Sequence, residues 1–358
     1  MSDRLHVAVD ANVLEADWGG IPKHVHRVVS ELAAGGDRVD LLVNLRRWES
    51  PVPGARAVPI RLRGRGLWRD LAVPLWALRH RPDVLWAPET VLPRRAGVPT
   101  VATVHDLAPL LFPDSKPPEV ERHFRTSIPR SVRAATRVIC VSGATAAEVT
   151  RRWGVERLDV IGNGVDDRFT PGDRGTERRW AEASFGVKVP FVLHVGSLEP
   201  RKGVDVLIAA SRAGSGRQLV LTGKPGHRGE EIIAAARDAG AIWLPDVDDD
   251  ALARLYRAAD VVAVPSLYEG FGIVPLEAMA SGTPVVVSAG AGALDELAGD
   301  AAIKVSERSG EAWAAALADA SERRDELTRA GLERAALHRW PQVAAAVRAV
   351  LEDAARGG

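Results

Sequence analysis

The 358-residue sequence has one cysteine, Cys140, which lies in the apolar run that begins at Val138. A single cysteine excludes an intrachain disulfide framework, and its apolar neighbours favour a core residue over a nucleophile. No apolar stretch approaches the roughly 20 residues that a membrane-spanning helix needs. The opening residues, MSDRLHVAVDANVL, pass directly into a strand pattern without the charged and apolar regions of a signal peptide. These absences predict a cytoplasmic protein.

The sequence also lacks an excess of charge, with 47 basic and 47 acidic residues. Neutral balance, no zinc-ligand spacing among the nine histidines and no basic helix argue against nucleic-acid binding and against a metal centre. The charge is uneven, because residues 1–170 carry 25 basic and 20 acidic residues and the remainder 22 and 27. The basic first part is consistent with an anionic acceptor, with contact to a membrane surface, or with ordinary surface variation.

Segment 46–69 is rich in arginine and proline, and we expect it to be irregular. Its last part, Arg61-Leu-Arg-Gly-Arg-Gly-Leu-Trp68, interleaves basic and apolar residues. Such a pattern suits a membrane surface or an anionic acceptor. The interpretation we favour is an exposed arginine loop whose Trp68 side chain points inward.

The length exceeds what one core usually supports, which predicts two domains. Short apolar runs alternate with helical patterns in both halves, which is typical of doubly wound parallel sheets. The predicted strands are Leu5–Asp10, Val39–Asn44, Val84–Pro88, Thr100–Val104, Val138–Ser142, Phe191–Val195, Gln218–Gly223, Ala241–Leu244, Asp260–Val264 and Val285–Ser288. The predicted helices are Lys23–Ala34, one from Ala144, Val204–Ala210, one from Pro275, Trp313–Gly331 and Val343–Leu351. A polar linker is expected at Asp166–Thr176, so that the domains span 1–170 and 171–340, followed by a terminal helix in 341–358.

The most informative stretch is Val264–Pro284, VPSLYEGFGIVPLEAMASGTP. It predicts a strand, a glycine-containing loop and a helix whose first turn contains Glu277. The unpaired amides and positive dipole end of a helix start suit a phosphate. Glu269 and Glu277 accept hydrogen bonds and therefore suit hydroxyls. A ligand with both a phosphate and vicinal hydroxyls is a nucleotide sugar.

The string from Glu269 to Glu277 resembles the Glu-x7-Glu motif of retaining glycosyltransferases, specifically glycosyltransferase family 4. The resemblance implies the GT-B fold, in which two Rossmann-like domains face each other across a cleft and the last helix crosses back to the first domain. It implies that the first domain binds the acceptor and the second binds the donor. It also implies transfer with retained anomeric configuration by front-face attack, so that Glu269 is not the nucleophile.

Other segments match the family in the same order. Arg201 and Lys202 lie at a strand-to-helix junction, where two cations can neutralise a pyrophosphate, and the family has the same pair. His105 and Asp106 follow a strand and match a His-Asp pair near the donor sugar. The resemblance thus implies catalytic roles for His105, Asp106, Arg201, Lys202 and Glu269. The expected donor-binding residues are Gly19, Gly20, Ser197, Gly223, Lys224, Gly270, Phe271, Gly272, Ile273, Val274 and Glu277.

The expected function is transfer of a hexosyl group from a nucleotide sugar to the hydroxyl of a sugar, lipid-linked or small-molecule acceptor, without a metal or other cofactor. The string from Thr103 to Pro113 is similar to mannosyl- and rhamnosyltransferases of polysaccharide or glycoconjugate pathways, which favours GDP-mannose. A UDP- or dTDP-hexose donor remains open, as does a nucleotide-sugar-binding protein without transferase activity. Peripheral contact with the inner face of the membrane is also left open.

Overall fold

The computed structural model describes residues 4–15, 19–112, 118–214 and 216–357, without the side chains of 118–120 and 123. The described chain forms two compact units. The first contains residues 4–110, 118–164 and 339–357, and the second contains 165–338 and a short segment that begins at Leu111. The sequence had placed the two boundaries at residues 170 and 340.

The first unit is built on a parallel sheet in which seven described strands lie in the order β3-β2-β1-β4-β5-β6-β7. The strands are β1 His6–Asp10, β2 Arg38–Val43, β3 Arg56–Pro59, β4 Val84–Ala87, β5 Thr100–Val104, β6 Arg137–Cys140 and β7 Leu158–Val160. The helices are α1 Gly20–Ala34, α2 Arg65–Leu67, α3 Val73–His80, α4 Ala108–Leu111, α5 Pro118–Ala134 and α6 Gly143–Trp153. A π-helical turn, Trp68–Ala72, joins α2 to α3.

The second unit contains a parallel sheet of six described strands in the order β10-β9-β8-β11-β12-β13. The strands are β8 Phe191–Val195, β9 Gln218–Thr222, β10 Ile242–Leu244, β11 Val261–Val264, β12 Val285–Ser288 and β13 Ile303–Val305. The helices are α7 Arg174–Phe185, α8 Val204–Arg212, α9 Gly229–Asp238, α10 Asp249–Ala258, α11 Ile273–Ala280, α12 Leu294–Ala298, α13 Gly310–Glu322 and α14 Arg324–Ala336. A short 3₁₀ turn, Pro200–Lys202, precedes α8.

The last helix, α15 (Trp340–Arg356), belongs to the first unit. Its buried face, which includes Trp340 and Val347, joins the core formed by β1, β2, β4 and α1. Arg348 on α15 donates from Nε to Asp37 Oδ2 at 2.8 Å, which ties the helix to the segment that precedes β2. The chain therefore ends in the unit where it began.

The central strands are buried on both faces, which explains why they read as continuous apolar runs. All four residues of β4, β11 and β12 are buried. The prediction of two doubly wound parallel sheets is confirmed. No helix in the described ranges combines the length and the apolar composition needed to span a bilayer.

The structure corrects the sequence reading at several elements. Segment 46–69 is not irregular throughout, because it contains β3 and the start of a helical segment that continues to His80. Strand β13 was not predicted. The predicted helix Trp313–Gly331 is two helices that meet at Arg323, and α7 begins inside the predicted linker. Strands β3 and β13 are short and only partly buried, so their sequences lack a long apolar run.

Each sheet has a switch point, where successive connections leave in opposite directions. In the first unit it lies between β1 and β4, and in the second between β8 and β11. Ligands of open α/β sheets bind outside the carboxyl ends of the strands at such points. A ligand site in the second unit is therefore expected at the segments that follow β8 and β11.

Candidate active site

The loops that follow β8 and β11 are joined by their backbones. The amide of Leu267 donates to the carbonyl of Arg201 at 2.8 Å. Gly203 makes this approach possible, since its φ is +67° and a Cβ there would lie 2.1 Å from the carbonyl oxygen of Pro265. Only glycine adopts this conformation without strain and without a clash. The basic pair and the glutamate-containing loop thus lie side by side.

Arg201 is held on two sides. Its Nη1 donates to the carbonyl of Tyr268 at 2.8 Å and its Nη2 to Glu199 Oε1 at 2.5 Å. The side chain of Glu199 is buried, and that of Arg201 is 14% exposed. Because guanidinium groups form directional charged hydrogen bonds, these two contacts fix the plane of the Arg201 group.

Lys202 and Glu269 form an ion pair at 2.7 Å between Nζ and Oε1, with side chains 15% and 16% exposed. Ser266 Oγ donates to the same carboxylate oxygen at 2.6 Å. Burial raises the pKa of Glu269, but the charges of Lys202 and Arg201 and the two hydrogen bonds together lower it below its ordinary value. Glu269 is therefore an ionised carboxylate in the folded protein at neutral pH.

Glu277 has a different environment. Its side chain is buried in α11, and Oε2 accepts a hydrogen bond of 3.1 Å from the hydroxyl of Tyr256 on α10. Burial, followed by the charge of Glu277, raises the pKa of Tyr256 well above its ordinary value, so the phenol stays protonated and donates. Tyr256 therefore holds one oxygen of the Glu277 carboxylate.

The predicted start of α11 was wrong by two residues. The helix begins at Ile273 rather than near Pro275, and Glu277 lies in its second turn instead of its first. The cap is Gly272, whose φ of +104° turns the chain into the helix, and the amide of Leu276 donates to its carbonyl at 3.4 Å. Proline is common at the start of helices, but here the glycine sets the boundary.

The remaining predicted donor-binding residues of the second unit lie in the loops at the carboxyl ends of the sheet or at the start of α11. Ser197 follows β8, and Gly223 and the exposed Lys224 follow β9. The amide of Leu198 donates to the carbonyl of Lys224 at 3.0 Å, which brings these two loops together. The loop between β11 and α11 contains Gly270, Phe271 and Gly272, and α11 opens with Ile273 and Val274. Their contacts with a donor stay predictions.

His194 in β8 lies beneath this site and was not predicted. It is fully buried, and its Nδ1 lies 3.0 Å from the carbonyl of Ala263 in β11. Burial lowers its pKa to about 4, and the charge of Lys202 acts in the same direction. A neutral histidine therefore links the two strands that carry the site.

In the first unit, the predicted His105 follows β5 and packs against a second histidine, His24 of α1. The ring centroids are 4.9 Å apart in an edge-on arrangement. His24 is fully buried, and its Nδ1 lies 2.8 Å from Asn163 Oδ1. Burial lowers the pKa of both rings, to about 4 for His24, and the proximity of His24 lowers that of His105 further. Both histidines are therefore neutral at pH 7.

The other predicted residues of the first unit lie at helix starts. Asp106 is exposed, and its Oδ1 accepts from the amide of Ala108 at 2.9 Å at the start of α4. Gly19 precedes α1 in an extended conformation, and Gly20 is the first residue of that helix. Asp17 and Trp18, which precede Gly19 in the sequence, lie outside the described residues. The roles of Gly19, Gly20 and Asp106 in binding or catalysis stay predictions.

Sequence reasoning missed four side chains that contact predicted site residues, namely Glu199, Ser266, Tyr256 and His24. Glu199 lies two residues before Arg201, and Ser266 lies in the stretch Val264–Pro284, so their polar character near residues already singled out was an available signal. Tyr256 and His24 are distant from their partners in sequence, and only the fold brings them together. In the described part of the chain, no three His, Cys, Asp or Glu side chains form a cluster that could hold a metal.

Comparisons with known proteins bear on the family and the fold of this chain. Residues 18–169 match the family described as Glycosyltransferase Family 4, and residues 177–336 match Glycosyl transferases group 1. The D-inositol 3-phosphate glycosyltransferase of Segniliparus rotundus is 34% identical over 290 residues, which cover 74% of this chain and 63% of that protein. The enzyme of that name from Nocardia farcinica is 35% identical over 267 residues, covering 68% and 58%. The chain thus aligns with less than two thirds of these relatives.

Solved structures match over nearly the whole chain. Sucrose-phosphate synthase from Thermosynechococcus elongatus has a TM-score of 0.79 and 23% identity, covering 99% of this chain and 100% of that one. WaaG, a glycosyltransferase involved in lipopolysaccharide biosynthesis, has a TM-score of 0.73 and 20% identity, covering 96% and 99%. Together with the two sheets, these matches establish the GT-B fold. The chain belongs to glycosyltransferase family 4, as the motif had indicated.

Proposed function

We propose that this protein is a retaining glycosyltransferase that transfers a hexosyl group from a nucleotide sugar to an acceptor hydroxyl. The observation that carries the proposal is the cluster of Arg201, Lys202 and ionised Glu269 at the switch point of the second sheet. In the reaction, the bond between the anomeric carbon and the diphosphate oxygen breaks, and a bond from the acceptor oxygen forms. The acceptor proton passes to the departing phosphate oxygen.

Arg201 and Lys202 would stabilise the negative charge that develops on the leaving diphosphate. Arg201 uses two of its five N–H groups in the contacts to Tyr268 and Glu199, and Lys202 uses one of its three in the contact to Glu269. Donors therefore remain on both cations for phosphate oxygens. Because both side chains are positioned before any ligand arrives, little reorganisation is needed during the reaction.

Glu269 would orient the donor sugar by accepting hydrogen bonds from its hydroxyls. Its Oε1 already accepts from Lys202 and Ser266, which leaves Oε2 as the oxygen for a sugar. A carboxylate tied to a lysine is a weak nucleophile, which agrees with a mechanism in which Glu269 makes no covalent intermediate.

Glu277 would accept hydrogen bonds from the ribose hydroxyls. Its Oε2 accepts a hydrogen bond of 3.1 Å from Tyr256, which holds the carboxylate in place before a nucleotide binds. Since vicinal hydroxyls donate two hydrogen bonds, an immobilised carboxylate is a suitable acceptor. Tyr256 thereby becomes a positioning residue for the nucleotide.

The identity of the donor is a separate and more specific proposal. GDP-mannose remains our first choice, on the sequence string from Thr103 to Pro113, with UDP- and dTDP-hexoses as alternatives. Solved structures of the same fold contain different nucleotides, namely UDP in Anabaena HepE and ADP in starch synthase IV from Arabidopsis thaliana. The name of the curated relatives adds D-inositol 3-phosphate to the acceptors that should be tried. Independence from metals and a cytoplasmic location also stay proposals.

The test is a transfer assay with GDP-mannose, UDP-glucose and dTDP-rhamnose against inositol 3-phosphate and simple sugar acceptors, with and without EDTA. We expect one donor to give a glycoside of retained configuration. We also expect Glu269→Gln to lose at least about 100-fold in turnover, the scale of one lost electrostatic contact. Lys304→Met, which removes an exposed lysine of the same unit, is the matched control. Tight binding of a nucleotide sugar with neither transfer nor slow hydrolysis would support the non-catalytic alternative instead.

A further inference from the structure

The helical segment 65–80 of the first unit exposes four leucines. Leu67, Leu71, Leu75 and Leu78 each leave more than half of their surface in solvent. These are four of the seven large exposed hydrophobic residues found in the described ranges. Their spacing of four, four and three residues returns to the same side of a helix about once per turn. We call these four residues the leucine stripe.

The opposite side of the same segment is also apolar, but it is buried. Trp68, Val73 and Trp76 pack in a core with Leu42 and Leu85. The segment is thus anchored to the sheet by one face, and the leucine stripe is not needed for that anchoring. An exposed, contiguous apolar surface on a protein marks an interaction site.

The charge around the stripe is strongly positive. Segment 61–81 contains six arginines and one acidic residue, Asp70. Arg61 and Arg63 precede the stripe, and Arg79 and Arg81 follow it; all four are exposed. None of these four has an acidic partner among the described residues, whereas Arg65 pairs with Glu89 at 2.9 Å.

We propose that the leucine stripe and its flanking arginines bind the surface of an anionic lipid bilayer. An amphipathic helix lies in the headgroup region when its apolar face enters the acyl boundary and its basic residues contact anionic lipids. The proposal assigns the Arg61–Trp68 motif to membrane binding and extends the membrane-binding surface of the protein to Leu78. The proposal concerns the first unit alone and does not depend on the proposed transferase activity.

A second copy of the chain fits this surface less well. In a symmetric dimer the same patch meets itself, so arginines at the ends of one stripe would face arginines of the other. Like charges placed opposite each other disfavour such an interface. An anionic bilayer complements both the leucines and the arginines.

The experiment is sedimentation of the full chain with vesicles of phosphatidylcholine alone or with about one third phosphatidylglycerol. We expect binding to the anionic vesicles only. Raising the ionic strength from 0.1 to 1 M should release the protein, because the screening length falls from about 10 to about 3 Å. The double variant Leu71→Glu/Leu75→Glu should lose binding. Arg61→Gln/Arg63→Gln should weaken it about 30-fold, or about fivefold per arginine.

Leu337→Glu is the matched control, since Leu337 is an equally exposed leucine in the second unit. Circular dichroism melting should show all variants folded, because each changed side chain is exposed. The proposal is overturned if the native chain ignores anionic vesicles or if Leu71→Glu/Leu75→Glu binds them like the native chain. A dimer in light scattering that only this double variant abolishes, without vesicle binding, would assign the stripe to self-association.

Discussion

Replacing Lys202 by methionine tests the electrostatic core of the candidate site. The change keeps most of the apolar stem but leaves Glu269 without the ammonium group at 2.7 Å, in a position where only 16% of its side chain is exposed. Removing one partner of a buried ion pair costs about 3–5 kcal/mol. Ser266 still donates to the Glu269 carboxylate, and the charge of Arg201 still acts on it. We therefore expect a loss of about 3 kcal/mol in the free energy of unfolding, at the low end of that range. For a unit of this size, that lowers the melting temperature by about 6–12 °C.

The stability lost in Lys202→Met should depend on pH. In the native protein the pKa of Glu269 is below its ordinary value, so the ion pair adds stability at neutral pH that is lost as the pH falls through the folded pKa. Without Lys202, burial is opposed only by Arg201 and Ser266, and the pKa of Glu269 rises. The folded variant then takes up a proton more readily, so its stability deficit should shrink between pH 7.5 and pH 5.

The assay is thermal unfolding of the ligand-free chain at both pH values, with Lys202→Met, Glu269→Gln and the double variant. Removing both partners should restore at least half of the stability lost in Lys202→Met, because no unpaired charge remains buried. Lys304→Met reports the cost of losing an exposed lysine, which we expect to be under 0.5 kcal/mol. Equal deficits at pH 7.5 and 5, or additive effects in the double variant, would refute the reasoning.

Two further predictions concern the backbone and the buried histidines. Gly203→Ala should destabilise the chain by at least 2 kcal/mol more than Gly240→Ala, roughly the strain scale of one forced backbone contact. Both glycines have positive φ, but only a Cβ at Gly203 meets a backbone atom, at 2.1 Å from Pro265, and comparable melting losses would contradict this. In an NMR titration of labelled rings, His24 and His194 should titrate at about pH 4, and a midpoint near 6.5 for either would contradict their burial.

Much of the fold was predictable because parallel strands buried on both faces leave a simple apolar pattern. Strands such as β11 and β12 have that pattern and were found, whereas β3 (Arg56–Pro59) has two exposed and two partly buried residues and was missed. The leucine stripe was hidden for a related reason. Its segment is apolar on both faces, and a sequence pattern does not say which face a sheet covers.

The residues of the candidate site also fall into those that a sequence pattern indicates and those that only packing brings together. Arg201, Lys202 and Glu269 were found because they lie within short motifs after strands, and their contact follows from the adjacency of β8 and β11. Tyr256 was out of reach, since its contact with Glu277 joins two helices and depends on packing. The start of α11 was misplaced because proline is a frequent first helical residue, while the conformation of Gly272 is not visible in the sequence.

The most direct test of the central claim is nucleotide binding measured by thermal shift with GDP, UDP, dTDP and ADP. A nucleotide at about 100 times its dissociation constant should add about 2.7 kcal/mol to the stability of the second unit. We expect one nucleotide to stand out, with its shift abolished in Glu277→Ala and reduced in Tyr256→Phe, which removes only the hydroxyl that holds the Glu277 carboxylate. If no nucleotide raises the melting temperature, or if Glu277→Ala responds like the native chain, the assignment of this site to a nucleotide sugar is wrong.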